Sequence, residues 1–195
     1  MVIGIVGKTA SGKTTVGLLL KKLIKNSLLL DVDRLAKEIY CTDTEILGEL
    51  RSSFGDSIFC PDGTLDYKIL AQKVFSSKKE LEKLNNLMFC RIEQKLNSLV
   101  NKNKERKCVI IDAAILFNTN LYKLCDYIIW VRADENKRGQ YLRKKQSLSD
   151  YEVAMRLKGQ HIKIRKKYVN FIINNYGSKR NLQEQVERFV QKIKI

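Results

Sequence analysis

With 195 residues, 44% of them hydrophobic, the chain is long enough for one domain with a real core and too apolar to be disordered. Its 37 Lys and Arg against 21 Asp and Glu give a net charge of +16, which favours anionic partners such as nucleotides, nucleic acid or a membrane surface. The apolar run Val2–Val6 is too short for a signal peptide and no apolar segment is long enough to span a bilayer, so a cytoplasmic protein with no membrane partner is expected.

In chain order, VIGIV at 2–6 predicts a short buried strand, and 12–26 a helix apolar on one face. SLLLDVD at 27–33 predicts a second strand ending in acids, followed by helical signal over 34–55. The single proline, Pro61, sits in the turn signal CPDGT, and helices are predicted at 66–76 and 78–103. KCVIIDAAILF (107–117) begins as a strand, and DYIIWVRA (126–133) is another. Residues 135–167 read as helical and basic, NFIIN (170–174) as a last strand, and 179–194 as a closing helix. Strands alternating with helices define an α/β fold, a doubly wound parallel five-stranded sheet whose ligands bind beyond the carboxyl ends of its strands. The all-helical stretch 41–104 is too large for a simple crossover and is expected to be an insert.

The five cysteines, Cys41, Cys60, Cys90, Cys108 and Cys125, are far apart, odd in number and form no C-x-x-C pair. That argues against a zinc site and a disulfide framework and for incidental thiols in a reducing compartment.

Gly7-Lys8-Thr9-Ala10-Ser11-Gly12-Lys13-Thr14 matches G-x-x-x-x-G-K-[ST] between a predicted strand and a helix, the context that makes it a P-loop. Backbone N–H groups of such a loop curl around phosphate oxygens, and the helix N-terminus adds partial positive charge. Lys13 is expected at the β- and γ-phosphates, and the Thr14 hydroxyl on Mg²⁺. Asp31 and Asp33, two apart at the end of the second strand, are expected to face one side, where a carboxylate can orient or deprotonate an attacking hydroxyl; alternatively, Asp33 caps a helix starting at Arg34. Asp112 ends the apolar strand VIID, where a P-loop protein places the acid that holds Mg²⁺ or its water.

Residues 132–167 contain twelve Lys or Arg and four Asp or Glu, a net +8. The tract includes Arg132, Arg138, Arg143, Arg156 and Arg165. Most of them form a solvated face, while one or two are candidates to neutralise a transferring phosphoryl group. Spacing does not choose among them. His161, the single histidine, makes neither a metal site nor a triad by itself. NNYG at 174–177 marks a turn, and a place for a nucleotide base near Asn175.

Together these pieces resemble the dephospho-CoA kinases over residues 2–180. Beyond the P-loop, DVDRLAKEIY resembles the family's D-A-D-x-x-A-R, which places the acid acting on the acceptor at Asp33. The stretch from FGDSIF through PDGTLDYKILAQKVF is similar to the family's F-G to D-G-x-L-x-R and V-F. IIDAAILF resembles D-x-P-L-L-F-E, DYIIWVRADENKRGQYLRKK the fifth-strand-and-lid segment, and NFIINNYG the A-D-x-V-I-x-N-x-G. Four places depart from the pattern: Phe89-Cys90 stand where the family has His-Pro, Asn118 replaces an acid, Val169-Asn170 replace Ala-Asp, and Gln140–Arg143 match the lid's Q-x-x-R only with a shift in spacing.

The resemblance implies a P-loop NTPase-type kinase: a core of 1–40, 105–134 and 168–195, an acceptor-binding helical insert 41–104 and a basic lid 135–167. It implies MgATP on Gly7 to Thr15, that is Gly7, Lys8, Thr9, Ala10, Ser11, Gly12, Lys13, Thr14 and Thr15, with Asn175 near the base. It implies Mg²⁺ at Thr14 and Asp112, directly or through water, and an acceptor touching Asp31, Asp33, Leu116, Phe117 and Asn118. Asp33 faces the ribose 3′-hydroxyl of dephospho-CoA, Lys13 holds phosphates, and the lid brings Arg143 or Arg138 to the γ-phosphate, giving CoA and ADP. A monomer acting on ATP and dephospho-CoA is expected. Two other classes share parts of the pattern. A nucleoside or nucleoside-monophosphate kinase lacks the DVD and FG…DG segments. A nucleic-acid-binding NTPase would suit +16, but no nucleic-acid module is present and few aromatics interleave with the basic tract. A chain that binds nucleotide without catalysis is set aside because Lys13, Thr14 and Asp33 are intact.

Overall fold

The computed structural model describes residues 1–146, 153–154, 157 and 162–193. Five short apolar runs form one all-parallel sheet: β1 (Val2–Val6), β2 (Ser27–Asp31), β3 (Cys108–Asp112), β4 (Tyr127–Arg132) and β5 (Phe171–Asn174), in the order β2-β3-β1-β4-β5. Register pairs Val2 with Val109, Ile3 with Tyr127 and Ile129 with Phe171. Asp31 and Asp112 stand opposite each other at the last rung of the β2–β3 ladder.

The chain divides into two compact units, residues 1–32 with 99–195, and residues 33–98. In the first, helices α1 (Lys13–Leu23) and α7 (Lys179–Lys192) cover one face of the sheet. Alternation along the strands turns Ile3, Ile5, Ile110, Ile129, Val131 and Ile173 toward Val16, Leu20, Leu182, Val186 and Phe189, making a continuous core. Helix α7 begins at Ser178, whose side chain accepts from Asn181 N–H, a standard N-cap.

The second unit holds most of α2 (Val32–Thr42), then α3 (Thr44–Phe54), α4 (Tyr67–Phe75) and the larger part of α5 (Lys78–Lys102). Asp43 caps α3 and Asp66 caps α4, accepting from Ile46 N–H and from Lys68 and Ile69 N–H respectively. The turn predicted at Pro61 is present: Gly63 takes φ 83° and Asp62 accepts from both the N–H and the hydroxyl of Thr64. Leu50, Phe54, Ile58, Ile92 and Leu96 are among its buried apolar residues. Arg91 on α5 pairs with Glu45 and Glu49 on α3 at 2.9 and 2.8 Å, and these carboxylates hold its guanidinium pKa above the ordinary value.

Two expectations about elements are corrected. The second strand stops at Asp31, not at residue 33. Its partner β3 also ends there, at Asp112, and the apolar spacing of Val32, Leu35 and Ile39 starts a helix at once. Asp33 therefore lies in the first turn of α2, and it does not share one side of a strand with Asp31. The helix predicted over 135–167 is α6 (Glu135–Gln146) followed, at residues 162–165, by backbone with no regular structure and a 3-10 turn at Lys166–Tyr168. Arg156 and His161 lie outside the described residues. None of the described helices is long and apolar enough to cross a membrane.

Candidate active site

The loop 7–14 leaves the carboxyl end of the central strand β1 and runs directly into α1. Two glycines are required by the backbone around them. At Gly7 a Cβ would collide with the Val131 carbonyl of β4. Gly12 holds φ 96°, and a Cβ there would lie 2.5 Å from Asn175 Nδ2. Ala10 adopts φ 60° as a non-glycine residue, a conformation that costs about 1–2 kcal/mol and must be held by its surroundings.

That holding comes from both near and far in sequence. Ser11 N–H donates to the Lys8 carbonyl at 3.0 Å, closing the loop on itself. Arg138 Nε donates to the Thr9 carbonyl at 2.8 Å, and Asn175 Nδ2 to the Ser11 carbonyl at 2.9 Å. Asn175 is itself pinned by its own N–H to the Arg132 carbonyl at 2.7 Å. These bonds engage the loop carbonyls of Lys8, Thr9 and Ser11.

Lys13, in the first turn of α1, is 9% exposed, and its Nζ donates to the Lys8 carbonyl at 3.4 Å. The next residue, Thr14, donates its hydroxyl to Asp112 Oδ2 at 2.7 Å. Asp112 is buried at the end of β3, so a hydroxyl and a carboxylate stand side by side at the start of α1, with the Lys13 ammonium turned to the Lys8 carbonyl. Lys8, Thr14 and Thr15 are exposed.

The other predicted site residues fall into different settings. Asp31 is exposed at the last rung of β2, and Asp33 is exposed in the first turn of α2. Leu116 and Phe117 are fully buried, with Asn118 half-buried beside them; the Asn118 N–H donates to the Ile115 carbonyl at 2.8 Å. Arg143 is exposed on α6, with its Nη1 near Gly139. Arg138, one turn and a fraction earlier, is 1% exposed. Burial pushes its guanidinium pKa down, and Glu135 opposes that only weakly from 4.0 Å.

A missed signal for Arg138 lay in α6 itself. Leu142, the one aliphatic residue of ENKRGQYLRKKQ, is fully buried, and counting back four residues along the same helical face lands on Arg138. The Asn175 brace on Ser11 had no local signal.

The dephospho-CoA kinase family model matches residues 1–181. The chain belongs to the dephospho-CoA kinase family. A dephospho-CoA kinase of Corynebacterium efficiens is 31% identical over 98% of this chain and 96% of its own. A Thermus thermophilus protein of known crystal structure superposes with TM-score 0.81 at 25% identity, covering 99% of this chain and 97% of that one. Dephospho-CoA kinase from Campylobacter jejuni, at 21% identity and TM-score 0.60 over 98% of this chain and 96% of its own, shares the fold.

Within this dephospho-CoA kinase family chain, two of the departures have a structural account. Asn170 uses its side-chain oxygen to accept from Ile128 N–H at 2.7 Å, while its own N–H donates to the Ile128 carbonyl at 3.0 Å; an Asn supplies that acceptor oxygen as well as an Asp would. Phe89 and Cys90 lie in the middle of α5, which runs unbroken for 25 residues. A proline at 90 would remove a helix hydrogen bond, and Cys90 keeps it.

Proposed function

We infer that the chain transfers the terminal phosphoryl group of ATP to the ribose 3′-hydroxyl of dephospho-CoA, giving CoA and ADP. The match to the dephospho-CoA kinase family over residues 1–181 carries this conclusion. In this reading the triphosphate lies in the cradle of residues 7–15, and Lys13 exchanges its long bond to the Lys8 carbonyl for phosphate oxygens. Asn175 acts on the nucleotide through the loop, by its bond to Ser11.

The oxygen donors of Thr14 and Asp112, 2.7 Å apart at the loop mouth, fit Mg²⁺, a hard cation that prefers oxygen ligands. When bound with the nucleotide, Mg²⁺ would supply charge neutralisation on the phosphates. Asp33 is the acid that orients the acceptor hydroxyl and takes its proton as the phosphoryl group moves. Asp31 and Asn118 offer polar contacts to the acceptor, while Leu116 and Phe117, expected with them at the acceptor, are buried. Arg138 and Arg143 are the α6 cations available to the developing phosphate charge. The same reading has the protein act in the cytoplasm, as a monomer on two anionic small molecules.

The test is to mix purified protein with MgATP and dephospho-CoA and follow ADP and CoA, with AMP, nucleosides and no acceptor as controls. ADP formed only with dephospho-CoA and matched mole for mole by CoA is expected. ADP formed equally with another acceptor, or no CoA at all, would overturn the assignment.

A further inference from the structure

A cavity of about 240 Å³ lies on the β4 side of the P-loop, lined by Lys8, Trp130, Arg132, Glu135, Arg138 and Tyr176 among others. Its charge is one-sided: three cations against the single carboxylate of Glu135. The unusual member is Arg138. Its guanidinium is almost wholly removed from solvent, its Nε is used on the Thr9 carbonyl, and its Nη2 is buried with no hydrogen-bond partner among the described residues. Glu135 does not complete it. That carboxylate stands 4.0 Å from Nη1, beyond hydrogen-bond reach, and its own side chain is 67% exposed. A folded protein rarely leaves a charged donor buried and unmatched without a use for it.

We propose that this cavity is a phosphate-binding site adjoining the P-loop cradle, with Arg138 Nη2 as its buried donor and Lys8 and Arg132 as its rim. A guanidinium matches phosphate oxygens in geometry and charge, and the dry surroundings strengthen the contact. The same side chain holds the crest of the P-loop through Thr9, so an anion here and the shape of the loop are read by one residue. Arg132 also lies over the Trp130 ring, 5.1 Å from guanidinium carbon to ring centroid. An anion that draws Arg132 changes the surroundings of Trp130, the only tryptophan of the chain. The phosphate group is either one carried by the donor nucleotide or a free ion. The first source rests on the kinase reading above; the second does not.

Trp130 emission is therefore the direct readout. Wild type, Arg138→Met, Arg138→Lys, Lys8→Gln and Lys13→Ala proteins are titrated with inorganic phosphate, tripolyphosphate and ATP at constant ionic strength, after melting curves establish that each is folded. A saturable change is expected in wild type, with the dissociation constant raised tenfold or more in Arg138→Met and less in Arg138→Lys. If inorganic phosphate still saturates the signal in Lys13→Ala, a free ion occupies the cavity. If the Lys13→Ala response is lost while ATP gives one in wild type that Arg138→Met weakens, the group belongs to the nucleotide. No saturable response in wild type to any of the three probes, or an Arg138→Met titration superimposable on wild type, overturns the proposal. Should Arg138→Met be unfolded, Arg138→Lys and Lys8→Gln decide, and values for both within twofold of wild type overturn it. The CoA-forming assay is separate, so loss of the kinase assignment would be seen there and not here.

Discussion

Thr14 and Asp112 are 98 residues apart in sequence, yet the Thr14 hydroxyl donates to Asp112 Oδ2 at 2.7 Å. The bond joins the start of α1, which follows the central strand β1, to the end of the neighbouring strand β3, and it puts two hard oxygen atoms at the mouth of the phosphate loop. Replacing Asp112 by Asn keeps the shape and removes the charge. The expected outcome is a tenfold or greater rise in the KM for MgATP and in the Mg²⁺ concentration needed for half-maximal rate, with the melting temperature little changed. Steady-state kinetics across a Mg²⁺ series checks it; an unchanged Mg²⁺ dependence would remove Asp112 from the metal site.

Asp33→Asn separates chemistry from donor binding. Positioned acid–base groups contribute about 10²–10⁴-fold to a rate. Turnover with dephospho-CoA is expected to fall by at least about 100-fold while the affinity for ATP stays within a few-fold, measured by calorimetry. Near-wild-type turnover would leave Asp33 as no more than a favourable acid in the first turn of α2.

The P-loop brace is open to a paired test. Asn175→Ala removes the bond to Ser11 and is expected to lower stability by about 1 kcal/mol and to weaken ATP binding, although Asn175 need not touch the nucleotide at all. Gly12→Ala is expected to be worse, because the new Cβ meets both a positive φ and Asn175 Nδ2. Combining the two relieves the clash and leaves the φ penalty. The double variant should therefore melt higher than Gly12→Ala alone, and a lower melting point would contradict the contact.

All five cysteines are free thiols: two are exposed, one is buried, and Cys60 and Cys125 are half-buried. Cys41 and Cys90 are exposed, whereas burial pushes the Cys108 thiol up to about 11 and the Cys125 thiol up to about 12. At pH 8 a thiol reagent should modify Cys41 and Cys90 first and reach Cys108 and Cys125 only when the protein unfolds. The raised values also set a sign. Unfolded thiols ionise near 9 while the folded ones keep their protons, so stability is full below pH 9 and declines as pH rises from there toward about 12. Melting curves from pH 8 to 11 check this, and Cys125→Ala should flatten the decline.

Much of this architecture could be read in the residues because each strand is a short apolar run of β-branched and leucine side chains, bounded by turn or helix signals. The P-loop was legible for the same local reason, a fixed spacing between a strand and a helix. The start of α2 was not, because strand and helix abut at Asp31–Val32 with no turn residue between them, and only the end of the ladder shows where one gives way to the other. The choice among the basic residues of the lid was legible only in part: charge spacing treats Arg138 and Arg143 alike, and Leu142, four residues past Arg138 on the same helical face, is the one sequence mark of the arginine that the fold buries.

The two side chains that hold the phosphate loop, Arg138 and Asn175, lie far downstream of it, and that order has a consequence during synthesis. Residues 7–14 are made well before Arg138 and Asn175, the two residues that tether them from a distance. Until then the loop has its sequence but neither distant tether, and Ala10 has little to keep it in its left-handed turn. Under the proposed function, a nucleotide binds the braced loop more tightly than the unbraced one, and so favours the chain in which β5 has docked over one in which it has not.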